Sequence, residues 1–490
     1  MPHASFPRND HRSPSLAPAT SYLDTLRHIQ AHGLVPLHMP GHKRNPFLAP
    51  DLPFGLDVTE IEGSWDLHHP DAALRARLQD VARERGAAHS FYMTNGSTGG
   101  LLSAIHTLCP PETPVLLSRA SHQSVYHGVE LLRLHPFYLV PSRLASGING
   151  PVAPEDVERA LTEHADIRTV IITSPTFEGV VSDVKTIAAL CHAHGARLLV
   201  DQAHGAHLRY FAPSLDAVAA GADIVVESLH KMLPALTPAA LVHASRDVDP
   251  VELSRAISIF ETSSPSHLIL ASIDCCLKWL EREGVHAHQE SLAHWNEASA
   301  LWHGEAGLQK IKHVKTDDPF KVVLSTRESD CNGPMLAQMM RTAGYEPEMV
   351  HPQSILALLS VADDFAMYPR FVEAIRTIDA RLGRSTAPKP LLPPLPPLPR
   401  PALPLDVARR AKRIRLSLRE ARGHVAAETV WTYPPGIPLL LPGEPLDDAM
   451  VSHLLQLAKQ GIPVRTEADP NGSVAPEVWC VSLEDLTPSL

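Results

Sequence analysis

Lys231 and Asp201 stand at the ends of two successive apolar runs, where their side chains could serve a single cofactor. Lys231 follows the run ADIVVES, and Asp201 ends the run ARLLVD. A lysine in an enclosed site can have a lowered pKa and can form a Schiff base with an aldehyde. A carboxylate nearby can keep a pyridine nitrogen protonated, and pyridoxal phosphate (PLP) chemistry needs both groups. Taken singly, a lysine in a loop and an aspartate that caps a helix are the alternative interpretations.

Further polar residues could surround such a cofactor. The segment TNGSTGG lies between a strand-like and a helix-like stretch. Backbone N–H groups at a helix N-terminus, together with the hydroxyls of Ser97 and Thr98, could bind a phosphate there. In DQAHGAH, we favour His204 over His207 for orienting the ring or its phenolic oxygen, and His122 could stack on the ring. A helix cap and ordinary loop histidines are the alternatives. Most other lysines lie in helical or linker stretches and are expected to be solvated.

The elements that would position these side chains alternate along the chain. Between about 85 and 245, short apolar runs are separated by turns and amphipathic stretches; the runs are HSFYMT, TPVLLS, FYLV, RTVIITS, ARLLVD and ADIVVES. This alternation predicts an α/β fold with a mostly parallel central sheet flanked by helices. Ligands of such sheets bind outside the carboxyl ends of the strands, where Asp201 and Lys231 stand.

The composition changes along the chain divide it into five segments. Residues 1–20 are polar and proline-rich, which predicts a disordered tail. Residues 21–285 form the predicted PLP-binding major domain, and 286–386 mix helix and strand as a small α/β domain. Residues 387–404 (APKPLLPPLPPLPRPALP) predict an extended linker. Residues 405–490 form a C-terminal α+β module.

Bulk composition narrows the function classes. The chain has 490 residues, 44% apolar and 20% charged, as in a soluble globular protein of two or three domains. Its formal net charge of −11 argues against nucleic-acid binding. No apolar run reaches membrane-spanning length, and the N-terminus does not resemble a signal peptide. Six scattered cysteines without a C-x-x-C pair predict a cytoplasmic setting, and we expect no metal site.

Several longer motifs occur in a fixed order. They are LHMPGHK (37–43), DVTEI (57–61), TNGST (94–98), SPTFEGVVSD (174–183), DQAHGAH (201–207), SLHKMLPALT (228–237), ETSSPS (261–266), AAE (426–428), YPPGIP (433–438) and PGE (442–444). Together they resemble the Orn/Lys/Arg decarboxylase family, whose members are PLP enzymes of the aspartate-aminotransferase fold, fold type I. The resemblance covers roughly residues 20 to 445. Without a separate N-terminal wing domain, the layout looks like that of the shorter bacterial arginine/lysine decarboxylases.

The resemblance implies a role for each candidate residue. Lys231 would carry PLP, Asp201 would face the pyridine nitrogen and His122 would stack on the ring. The remaining cofactor contacts would fall on Ser97, Thr98, His204, Ser228 and His230, and on Thr262 across a dimer interface. A homodimer or higher homo-oligomer with its active site between subunits is therefore implied. The implied reaction is decarboxylation of lysine, arginine or ornithine to CO2 and a di- or polyamine.

Three departures from the family pattern affect this interpretation. Gln202 replaces a glutamate, Gln123 replaces a lysine, and the stretch around Trp65 lacks an acid and a glycine. An aminotransferase or aldolase of the same fold type, or a non-catalytic PLP-binding regulator, therefore remain alternatives. The MPGHK and ETSSPS motifs favour decarboxylation. Carboxylates that could pair with the cationic end of the substrate are Glu60, Glu62 and Asp66.

Overall fold

The computed structural model describes residues 21–32, 35–46, 49–303, 310–385, 395–398, 400–432, 437–460, 462–473 and 476–482. The predicted N-terminal tail and residues 387–394 and 399 of the predicted linker lie outside the described residues. Among the described helices, none combines the length and the apolar character that a membrane crossing requires.

A large mixed sheet dominates the first part of the described chain. Its spatial order is β1-β7-β6-β5-β4-β2-β3; β7 runs antiparallel to β1 and β6, and the other neighbouring pairs are parallel. Its strands are β1 (His89–Met93), β2 (Pro114–Ser118), β3 (His135–Leu139), β4 (Thr169–Thr173), β5 (Arg197–Asp201), β6 (Ile224–Ser228) and β7 (Ala240–Ala244). The six runs predicted from the sequence are all strands, and the α/β fold with a mostly parallel sheet is confirmed.

Helices lie between and beyond these strands. They are α1 (Tyr22–Ala31), α2 (Ala72–Arg85), α3 (Gly96–Leu108), α4 (Gln123–Leu131), α5 (Pro154–Glu163), α6 (Val184–Ala193), α7 (Leu208–Phe211), α8 (Leu229–Met232), α9 (Pro250–Phe260) and α10 (His267–His303). Helix α3 packs directly on the sheet at Gly100, where a Cβ would lie 2.9 Å from methyl groups of both Val226 and Val242. A glycine at position 100 therefore allows α3, which begins within TNGST, to lie close to β6 and β7.

Smaller sheets form the remainder. The strands β8 (Lys312–Val314), β9 (Lys321–Ser325), β10 (Met349–His351) and β11 (Ser354–Leu358) make an antiparallel sheet with α11 (Gly333–Thr342) and α12 (Met367–Arg381). Further on lie α13 (Leu405–Arg410), β12 (Arg413–Ser417), β13 (Val430–Thr432), β14 (Ile437–Leu440), α14 (Asp448–Lys459), β15 (Val464–Arg465) and β16 (Glu477–Val481). Helix α10 continues through position 285, so that predicted domain boundary falls inside a helix.

Candidate active site

Lys231 and His204 meet at the carboxyl end of the large sheet. Helix α8 follows β6 directly and places Lys231 Nζ 3.1 Å from His204 Nε2. Burial lowers the pKa of Lys231, while Asp201 and Glu348 oppose that shift. A lysine with a lowered pKa is more often a free amine, the form that attacks an aldehyde.

Asp201 ends β5, the neighbour of β6, and lines the same cavity as Lys231. Its carboxylate is 2% exposed and accepts a hydrogen bond from the Ala203 N–H at 3.1 Å. The cavity also contains His204, whose ring lies 4.3 Å from that of Phe177. A buried carboxylate in this position can hold a proton on a ring nitrogen that enters the cavity.

His122 lines this cavity from the loop after β2 and also caps α4. Its Nδ1 lies 2.8 Å from Ser124 Oγ, which fixes the ring at the helix start. The pKa of His122 is lowered, mainly because the surrounding walls desolvate the ring; Lys231 adds to the effect and Asp201 opposes it. The ring is therefore neutral near pH 7 and suited to lie against an aromatic cofactor. The helix-cap alternative and the ring-contact prediction are compatible.

Buried hydroxyls near Lys231 fit the phosphate of the implied cofactor. Among the described residues, Ser121, Thr173 and Ser228 have buried hydroxyl oxygens that find no hydrogen-bond partner. Ser121 and Thr173 line the cavity, and so does Ser97 at the start of α3. Buried polar atoms are rarely left unsatisfied, so unpaired hydroxyls beside a helix N-terminus indicate a place for an anion.

The other predicted cofactor contacts lie at the edge of this arrangement. Thr98 follows Ser97 in α3 but is exposed. His230 is partly buried, and its Nδ1 lies 3.0 Å from the Ala239 carbonyl oxygen. Thr262 is exposed and is not among the residues that line the cavity of Lys231 in this chain. The predicted roles of all three residues remain predictions.

Glu261 has a positioning role that the motif match did not assign. Its carboxylate accepts hydrogen bonds from Thr94 N at 2.8 Å, Thr94 Oγ1 at 2.7 Å and Asn95 N at 3.1 Å. It is 5% exposed. Since Thr94 and Asn95 join β1 to α3, the ETSSPS motif fixes the turn that carries Ser97.

Sequence reasoning also missed a second lysine beside the cavity. Lys321 begins β9, is 1% exposed and places Nζ 3.4 Å from His204 Nδ1. Most of the other lysines were expected to be solvated, and Lys321 is instead buried. One signal was present: Lys321 opens the apolar run KVVLS instead of lying in a helix or linker.

Two of the departures from the family pattern have structural partners. Gln202 is fully buried, and its amide nitrogen donates to Asp216 and to Glu227, each at 2.8 Å. A glutamate at position 202 would instead bring a third carboxylate to this site. Trp65 stacks on Tyr22 with ring centroids 3.9 Å apart, so it packs against α1. Gln123 is exposed at the start of α4.

The carboxylates suggested for the substrate tail are placed differently from the expectation. Glu60 and Asp66 line a separate cleft with His68 and Pro250, and the cavity of Lys231 is lined instead by Glu178. Glu178 is 4% exposed, and its Oε1 lies 3.6 Å from His351 Nε2. Within the described chain, Glu178 is therefore better placed than Glu60 or Asp66 to meet a cationic substrate.

Comparison with known proteins decides the family. A family profile described as "Orn/Lys/Arg decarboxylase, major domain" matches residues 37–298, and its "C-terminal domain" counterpart matches 398–462. The chain belongs to the Orn/Lys/Arg decarboxylase family. The enzyme class predicted from the sequence, an amino-acid decarboxylase, is thereby confirmed.

Individual relatives agree with this membership. The chain is 29% identical to an arginine decarboxylase of Bacillus subtilis, over 89% of this chain and 93% of the relative. The crystal structure of a lysine decarboxylase from Francisella novicida superposes with a TM-score of 0.80 at 17% identity, covering 94% of this chain and 81% of that one. A Sphingomonas wittichii serine palmitoyltransferase gives a TM-score of 0.51 at 18% identity, covering 65% and 78%. This chain therefore has the predicted fold-type-I architecture.

Proposed function

We propose that this family member decarboxylates a basic amino acid, with PLP bound through Lys231, and releases CO2 and a di- or polyamine. One observation carries the proposal: Lys231 and Asp201 line one cavity at the carboxyl ends of neighbouring strands. Buried hydroxyls without partners surround them among the described residues. This combination fits an aldehyde, a ring nitrogen and a phosphate at once.

Each group in the cavity has a part in this chemistry. PLP, when bound, supplies the electron sink for the bond between Cα and the carboxylate. Lys231 provides the amine that holds the cofactor, and Asp201 keeps a proton at the pyridine nitrogen. His122 contacts the ring face. The hydroxyls of Ser97 and Ser228, with the N-terminus of α3, bind the phosphate.

Glu178 is proposed to select for a cationic substrate. The relative from Bacillus subtilis is named an arginine decarboxylase, and a buried carboxylate in the cavity would pair with a guanidinium or ammonium group. A charged hydrogen bond contributes about 1.5–3 kcal/mol, so Glu178→Gln should raise KM for a basic amino acid about tenfold to a hundredfold. Steady-state kinetics measures this, with Glu158→Gln on the exposed side of α5 as the matched control. An unchanged KM in Glu178→Gln would remove this residue from the proposal.

We further propose that the enzyme is a homodimer or higher homo-oligomer with active sites between subunits. Thr262 is exposed and absent from the lining of its own chain's cavity, as a residue offered to a partner would be. Leu37 and Met39, in the LHMPGHK motif, are 92% and 68% exposed, and apolar exposure of this extent favours burial against another subunit.

The six free cysteines support a cytoplasmic setting. The division into a major domain, a small α/β domain and a C-terminal module is part of the same proposal.

The proposed function is tested with purified enzyme, PLP and each of lysine, arginine and ornithine. We expect CO2 and the corresponding amine from at least one of them. Lys231→Ala should lose both the amine product and the yellow absorbance of the bound cofactor. Transfer of the amino group to a keto acid without CO2 would instead support the aminotransferase alternative. If the absorbance of PLP bound through Lys231 is present but none of the three amino acids reacts, the result would support the alternative of a non-catalytic regulator.

A further inference from the structure

The ring of His204 lies between the amines of two lysines. Lys231 Nζ lies 3.1 Å from Nε2, and Lys321 Nζ lies 3.4 Å from Nδ1. The two lysines come from different parts of the fold, α8 and β9. Both ring nitrogens of one histidine therefore face groups that are ordinarily cationic.

The hydrogen-bonding capacity of imidazole limits the charge of this arrangement. A neutral imidazole has one N–H donor and one acceptor nitrogen, whereas a lysine ammonium only donates. His204 is neutral, because burial and the charges of Lys321 and Lys231 lower its pKa well below the usual value. Only one of the two lysines can therefore donate to the ring, and the other must accept the ring N–H as a neutral amine.

The surroundings of Lys321 let it exist in either form. Burial, together with the charge of Lys231, lowers the pKa of Lys321 to about 8, and Asp318, Glu348 and Glu178 oppose the shift. The carboxylate of Asp318 also lies 3.0 Å from Nε2 of His207. A group with this pKa can gain or lose a proton near neutral pH.

Close packing holds the Lys321 side chain in place. Its Nζ lies 3.1 Å from Met232 Sδ. The turn at Gly179 lies directly over the side chain: a Cβ at this glycine would be 2.7 Å from Lys321 Cγ, and its φ of +92° also favours glycine. The Cβ and Cγ atoms of Lys321 are therefore packed closely against the SPTFEG turn.

We propose that Lys321 is a positioning residue that shares a single proton with Lys231 through His204, so that Lys231 is presented as a neutral amine. In one state, Lys231 donates to Nε2 while Nδ1–H donates to a neutral Lys321. Moving one proton along each contact gives a neutral Lys231 that accepts from Nε2–H, and a charged Lys321 that donates to Nδ1. No proton is gained or lost. The neutral Lys231 can then form its C–N bond with an aldehyde, whose oxygen leaves as water.

The inference rests on the proposed function and is tested without turnover. Enzyme freed of cofactor is mixed with PLP across a range of pH, and the rate of condensation with Lys231 is followed by absorbance. Lys321→Met removes the proton acceptor and a neighbouring positive charge. We therefore expect the midpoint of the rate profile to rise by about 1–2 pH units. Lys185→Met, which removes an exposed lysine of α6, should leave the midpoint unchanged.

A second variant, His204→Phe, distinguishes proton sharing between Lys231 and Lys321 through the His204 ring from simple charge repulsion between the two lysines. His204→Phe should also raise the midpoint, and in that background the further change Lys321→Met should shift it much less than it does alone. An equal shift in both backgrounds, or none in Lys321→Met, would overturn the role of Lys321. No condensation at any pH in the unaltered enzyme would instead refute the proposed function.

If Lys321→Met does not fold, His204→Phe and the unaltered chain still provide a test. Amine-selective acetylation, mapped by mass spectrometry, should label Lys231 with a lower pH midpoint than the exposed Lys185. His204→Phe should bring the two midpoints closer together. Equal midpoints in the unaltered chain would show that Lys231 is not presented as a neutral amine and would refute the inference.

Discussion

At the scale of single residues, Asp201 carries the electrostatic part of the proposed chemistry. It is buried at the end of β5 and shares a cavity with Lys231. Asp201→Asn keeps the shape of the side chain but removes the charge that would hold a proton at the ring nitrogen. Loss of one such stabilising group costs about 10²–10³ in kcat. We expect this loss with retained cofactor absorbance, measured by CO2 release, whereas Asp183→Asn at the exposed start of α6 should retain full activity.

Residues that line the cavity of Lys231 could be predicted from the sequence where they follow the end of a strand or lie in a motif. Lys231, Asp201, His122, His204 and Ser97 line one cavity, as expected. These residues follow strands that run in the same direction within one mostly parallel sheet, so their carboxyl ends meet at one edge and position along the chain implied position in space.

Residues that approach this site from other parts of the chain were missed for a physical reason. Lys321 belongs to the antiparallel sheet, and its approach to His204 depends on how that sheet packs against the large one. Glu178 lies in a motif that matched, yet its burial next to the cavity depends on tertiary packing. Neither contact is reflected in a hydrophobic period or in a motif spacing of the sequence.

At the scale of elements, the strands were predicted more completely than the long helix. Each buried strand of the large sheet is a continuous apolar run, which turns delimit. The composition predicted a domain boundary after residue 285, but α10 runs across it from His267 to His303. Tertiary contacts sustain that extension: Trp295 and Trp302 are each buried in the core beside β9 and α12.

Helix α10 contains a buried histidine, His288, whose protonation should destabilise the fold at acidic pH. The side chain is 1% exposed, its Nδ1–H donates to the Gly284 carbonyl at 2.6 Å, and its ring stacks on Tyr210. Burial lowers its pKa to about 4. The unfolded chain, with an ordinary histidine pKa near 6.5, therefore binds this proton more readily than the folded one. The stabilising effect is complete above about pH 6.5 and is lost as the pH falls towards 4, by up to about 3 kcal/mol.

Thermal unfolding measured between pH 4 and 7 checks this expectation. His288→Gln should weaken the dependence of the melting temperature on pH across this range, because the titrating group is gone. His286→Gln, two positions away on the exposed side of α10, should reproduce the unaltered curve. Identical slopes for the two variants would show that protonation of His288 does not govern acid stability.

At the scale of the whole molecule, one buried ion pair connects the large sheet to the C-terminal part of the chain. Arg119 follows β2 and donates to both carboxylate oxygens of Glu444, each at 2.8 Å, and to the Leu439 carbonyl oxygen at 3.1 Å. Its guanidinium also lies 4.6 Å from the ring centroid of Tyr138. Because Arg119 is two residues from Ser121, which lines the cavity of Lys231, we expect this contact to help position the loop that carries Ser121.

Breaking this pair from one side should therefore affect both stability and cofactor binding. Glu444→Gln leaves Arg119 buried without its counter-charge, which costs about 3–5 kcal/mol. We expect a lower melting temperature and a higher Kd for PLP, since the loop that carries Ser121 loses its fixed neighbour.

The control Glu467→Gln disrupts a more exposed pair with Arg409, where a loss of about 0–1 kcal/mol is expected. The double variant Arg119→Met with Glu444→Leu removes both charges and should recover part of the stability, because no unpaired charge remains. If Glu444→Gln melted at the same temperature as Glu467→Gln, the C-terminal contact would not stabilise the sheet, and its proposed effect on the cavity would fail with it.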